Sequence, residues 1–173
     1  PDIIVAYLHG LSQVGPFAAI GRFPLLMLAT FQAILLPYWP VISAAAPHQG
    51  PAWIGDLARR TLFLTLGIWA LGAAAFWLFG PRLIVAWMGR RDFVDTSLIA
   101  MACLQALGLG LFTWLSVFLG ALSRQRHLAR AAAIAVSLFI PLAVLLGQLL
   151  GPVGVGLAQA LALFLGAIPL AGW

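Results

Sequence analysis

LFLTLGIWALGAAAFWLF, residues 62–79, lies inside a run from 61 to 81 that carries no formal charge. A helix of about 20 predominantly apolar residues is long enough to cross the roughly 30 Å hydrocarbon core of a bilayer. Hydrocarbon offers no water to backbone polar groups, so a spanning segment must be a helix or belong to a closed barrel. Barrel strands alternate apolar with polar residues, and this run does not. It therefore reads as a transmembrane helix.

The pattern repeats along the chain. Residues 23–55, 96–123 and 131–173 are also free of formal charge. The last run has room for two helices, with GQLLGPVGVG (147–156) as the turn, because Gly-Pro marks a chain reversal. Ile3 to Gly21 reads as the tail of a further helix, broken at Gly15-Pro16. Helices are expected near 1–13, 16–45, 58–79, 95–122, 127–149 and 152–172. The fold class is all-α, a polytopic membrane protein of about six transmembrane helices in a single bundle spanning 1–173. Pro24, Pro37, Pro40, Pro141 and Pro169 predict kinks, since each removes a backbone donor. The chain opens on Pro1 rather than Met and is expected to be part of a longer protein.

Composition agrees. Apolar residues make up 64% of the chain, against about 45–50% in soluble domains, so lipid is the expected solvent. Of the 173 residues, nine are basic and four acidic. Every basic residue is Arg and every acid is Asp, gathered in clusters that read as loops between spans. These arginines bracket apolar runs and do not form a basic face, so nucleic acid is not an expected partner. Cys103 lies in an apolar run and reads as a packed small side chain, with no metal spacing around it. No metal and no cofactor is expected.

Cytoplasmic loops are enriched in basic residues. Arg59, Arg60, Arg124, Arg126 and Arg130 fall on one side and Arg82, Arg90 and Arg91 on the other, which puts the loops near 46–60 and 123–130 in the cytoplasm. WMGRRDFVD (87–95), with Asp92 and Asp95, reads as an interfacial segment, and Trp53, Trp87 and Trp173 as an aromatic belt at span ends.

Several stretches together resemble the polysaccharide transporter family, the O-antigen flippase type, within the superfamily that includes multidrug and toxin extrusion proteins and lipid II flippases. They are PDIIVAYLHGLSQVGPFAAIGR (1–22), LLPYWPVISAAA (35–46), FGPRLIVAWMG (79–89), LGALSRQR (119–126) and GPVGVGLAQALAL (151–163), in an order and spacing similar to that family's. The resemblance covers nearly the whole chain and implies the second six-helix bundle of a twelve-helix, two-bundle transporter. It further implies a flippase in the inner (plasma) membrane that translocates a lipid-linked oligosaccharide by alternating access, coupled to a proton or a sodium ion, and no covalent catalysis. Membrane lipids are the other expected partner; the oligomeric state is left open. The rival readings are a cation-coupled multidrug exporter of the same superfamily, a membrane-embedded transferase, and a structural assembly subunit with no cavity. A transferase needs acids or histidines converging at one membrane face, whereas Asp56 and the pair Asp92 and Asp95 fall on opposite sides.

Ionisable residues at membrane depth are the first candidates for function. Asp2 is the candidate ion-coupling residue, able to take up a proton or hold sodium; the competing reading is a helix cap or an exposed end. Arg22 is the candidate substrate-binding cation, suited to phosphate or a sugar carboxylate by its fork of donors; the competing reading is snorkelling to the interface. Gln32 and Gln105 are candidate cavity-lining amides, because a mid-span amide facing lipid leaves its donors unpaired. Gln148 and Gln159, with the span hydroxyls, read as helix contacts, Gly147 and Gly151 as a close-packing pair, and His9, His48 and His127 as interfacial.

Overall fold

The computed structural model describes residues 1–89 and 95–167, with the side chain of Ala167 excepted. Arg90, Arg91, Asp92 and Trp173, and the last residues of the expected helix over 152–172, lie outside the described residues. The described chain is helical throughout, without strands: α1 (Asp2–His9), α2 (Leu11–Ile20), α3 (Arg22–Leu35), α4 (Tyr38–Ala45), α5 (Pro51–Met88), α6 (Thr96–Ala121), α7 (Gln125–Leu150) and α8 (Pro152–Ala167).

Four helical segments are long and apolar enough to cross a membrane: Leu11–Ala45, Pro51–Met88, Thr96–Ala121 and Gln125–Leu150. The first joins α2, α3 and α4, because Gly21, Leu36 and Pro37 keep right-handed helical dihedrals at the two breaks. Pro24 and Pro40 each leave a carbonyl one turn earlier without its usual donor, at Ile20 and Leu36, where the two interruptions fall. Of the other two expected spans, α1 has 8 residues, and α8 is described over 16, up to the last described residue.

Three boundaries differ from expectation. The first helix breaks at Gly10, φ 82°, while Pro16 sits inside α2. Glycine adopts a positive φ without a Cβ penalty, whereas proline's fixed φ of about −65° is already helical. Next, α5 runs from Pro51 to Met88 rather than 58–79, beginning with proline at its first turn and closing on Gly89, φ 67°, whose N–H reaches the Val85 carbonyl at 2.9 Å. Both ends follow the preference for Pro inside a helix start and Gly just past its end. Consequently Asp56, Arg59, Arg60 and Arg82 lie on the helix and not in loops. Arg126 and Arg130 likewise lie on α7.

Helix α6 is the hub, packed against α2, α3, α4, α5, α7 and α8. It is the most buried of the span-length helices, and its sequence is largely apolar, as a helix with many neighbours requires. Side chains of α3 and α4 seat in glycine notches: a Cβ on Gly110 would meet the Phe31 ring at 2.6 Å. Phe23, Met27, Phe31 and Leu35, four apart, form the buried stripe of α3. Two indoles tie α5 to α6, Trp69 donating to the Cys103 carbonyl at 2.8 Å and Trp114 to the Thr61 hydroxyl at 3.0 Å.

The α7–α8 hairpin turns at Gly151, φ 68°. Its close contact is made by Gly154, where a Cβ would collide with the Leu146 carbonyl, and by Gly166, where it would come within 2.7 Å of the Ala131 carbonyl. Gly151 is thus the turn, with open space at its Cβ, and does not pack together with Gly147. His9 Nε2 donates to the Gly147 carbonyl at 3.0 Å, serving one of the last four carbonyls of α7, which have no partner within their own helix.

Candidate functional site

Where α1 begins and α2 hands over to α3, a cavity of about 220 Å³ opens between those helices, α6 and α8. Asp2, Arg22, Gln105 and Gln159 contribute its polar side chains, and Phe17, Pro24 and Leu109 are among its apolar walls. Four helices place them. Asp2 is in the first turn of α1 and makes no side-chain cap there. Arg22 opens α3, eleven residues beyond Leu11, which at 1.5 Å per residue is about 16 Å from the Gly10 turn. Gln105 is nine residues into α6 and Gln159 seven into α8, or about 14 and 10 Å from the same end of the bundle. The cavity thus lies roughly 10–16 Å along the bundle from the Gly10 and Gly151 turns, at the first turns of α1 and α3.

Gln105 is only 7% exposed and donates through Nε2 to Gln159 Oε1. This bond joins one donor and one acceptor that would otherwise lose hydrogen-bonding capacity in an apolar bundle. Asp2 and Arg22 stand at the open side and are exposed. No ion pair joins them; among the described residues the carboxylate–arginine pair is Asp56–Arg59, 3.0 Å apart at the surface. Arg22 thus brings a full set of guanidinium donors to one wall and Asp2 an uncommitted carboxylate to another. Such a lining can bind a phosphate or carboxylate group and exchange a cation beside it.

Three of the four sequence candidates, Asp2, Arg22 and Gln105, meet at this cavity. Gln32 does not join them. It is exposed, one position past Phe31 and so rotated about 100° off the buried stripe of α3. Gln159 was read from sequence as a helix contact, and it is one, made to the candidate Gln105; a second glutamine in a charge-free run was the available signal. Arg22 is also farther from its helix start than the Gly15-Pro16 break implied, because the true break at Gly10 adds five residues to that helix.

Among the described residues no three His, Cys, Asp or Glu side chains gather as metal ligands. No family model, curated protein or solved structure matches the chain.

Proposed function

We propose that this chain is a bundle of a membrane flippase that moves a lipid-linked oligosaccharide across the cytoplasmic membrane by alternating access. The bundle would be the second of two in a twelve-helix transporter. One observation carries this: an arginine, an aspartate and a glutamine pair surround one cavity inside helices of otherwise apolar sequence. Charged groups within spanning segments are costly and persist where a pathway needs them, and Arg22 lies inside the span-length segment Leu11–Ala45. Arg22 supplies the attraction for an anionic pyrophosphate head, and the amide pair supplies neutral hydrogen bonding suited to sugar hydroxyls. Asp2 in the same cavity supports coupling to a proton or sodium ion, since an acid beside a cation changes the field in which the cargo binds. Two bundles rocking about a midplane site are the common transporter solution.

The test is translocation of lipid-linked oligosaccharide by the complete transporter, normalised to its abundance in the membrane. Arg22→Lys should keep partial transport, because charge remains without bidentate geometry, while Arg22→Gln and Arg22→Ala should lose it. Wild-type transport by Arg22→Gln at equal abundance would remove Arg22 from the substrate site and return the multidrug reading to parity.

A further inference from the structure

At the other end of the bundle, a second cavity of about 490 Å³ lies between the 46–50 connection, the start of α5 and the turn from α6 to α7. Its lining is two-sided. Gln49 and Arg124 are its polar side chains, whereas Ala46, Ile54 and Leu122 are apolar. The turn that carries Arg124 is well defined: the N–H of Arg124 reaches back to the Leu119 carbonyl at 2.8 Å and that of Ser123 to the Gly120 carbonyl at 3.0 Å. This is the double bond of a Schellman closure, with Ser123 at φ 57° in the left-handed position. The closure fixes the backbone at Arg124, which shares this cavity with the first turn of α5.

Among the described residues Arg124 has no carboxylate partner; Asp56, next to the wall residue Gly55, is committed to Arg59. The position along the chain identifies the medium. Arg124 directly follows the uncharged run 96–123, and α5 enters its own uncharged run at 61. The cavity thus lies at the edge of the apolar zone, where bilayer headgroups lie.

We propose that this cavity holds an anionic glycerophospholipid of the surrounding leaflet, with the headgroup phosphate on Arg124 and the glycerol–acyl junction against Ile54 and Leu122. An arginine without a carboxylate partner among the described residues fits the phosphate, and the apolar half selects a lipid over a free anion. The site is separate from the cavity at Arg22 and stands whether or not the transport reading does.

The experiment is native mass spectrometry of the purified protein in mixed micelles holding equal amounts of phosphatidylglycerol and phosphatidylcholine. The wild type should retain phosphatidylglycerol with about five-fold preference, the factor expected of one arginine acting on an anionic headgroup. Arg124→Gln should abolish the preference, and Arg126→Gln, outside the cavity lining, should leave it. Leu122→Trp fills the apolar half while keeping Arg124, and should also lose the bound lipid; it decides the matter should Arg124→Gln misfold. Equal retention of both lipids by the wild type, or unchanged preference in Arg124→Gln or Leu122→Trp, would overturn the site. Full displacement by soluble glycerol phosphate would overturn the lipid assignment in favour of a free-anion site.

Discussion

Gln105 and Gln159 show how one residue pair sets the character of the bundle interior. Gln105 Nε2 donates to Gln159 Oε1, so removing either side chain leaves the other without this bond, at a cost of about 1–3 kcal/mol. Gln105→Leu or Gln159→Leu alone should therefore destabilise the protein, whereas the double variant should cost less than the sum of the two. Thermal unfolding in one detergent measures this; strict additivity would mean the pair is not coupled. Asp2 and Arg22 were legible in the sequence because an ionisable group stands out against apolar neighbours on either side. Gln105 and Gln32 were not distinguishable by that means. Both are glutamines in uncharged runs, and only the rotation of each helix about its axis puts Gln105 at the cavity and Gln32 outside.

Among the elements, the α7–α8 hairpin depends most on backbone proximity. Gly154 faces the Leu146 carbonyl, which cannot move without unwinding α7, so even a methyl group there overpacks the contact. Gly154→Ala should cost about 1–3 kcal/mol. Gly67→Ala, in α5 with nothing within 4 Å of the new Cβ, should be neutral or stabilising by up to about 1 kcal/mol. The folded fraction surviving a heat challenge separates the two, and equal tolerance would mean the hairpin is not closely packed. Helix existence and order could be read from charge-free runs, but helix ends could not. Hydropathy reports the thickness of hydrocarbon, and α5 continues past it at both ends through Asp56, Arg59, Arg60 and Arg82. The Gly10 break was hidden because Gly15-Pro16 is the stronger turn signal in sequence, yet proline fits the helix and glycine at Gly10 takes the positive φ.

On the scale of the whole molecule, three span-length helical segments and the shorter α8 pack around the fourth, α6, with Asp2, Arg22, Gln105 and Gln159 gathered at one cavity. A bundle serving only as scaffold needs no water at Ala18 or Leu109, both of which line that cavity. A flippase bundle needs both water and substrate there. The most direct measurement replaces Cys103 with Ala and introduces Ala18→Cys, Leu109→Cys or, on the exposed apolar face of α5, Leu71→Cys in the complete protein within membranes. Labelling by a membrane-impermeant thiol reagent is then followed with and without lipid-linked oligosaccharide. Cysteines at 18 and 109 should react and be slowed several-fold by the substrate, while the one at 71 stays unreactive in both conditions. Failure of 18 and 109 to label, or rates indifferent to the substrate, would contradict a substrate-binding cavity at Arg22.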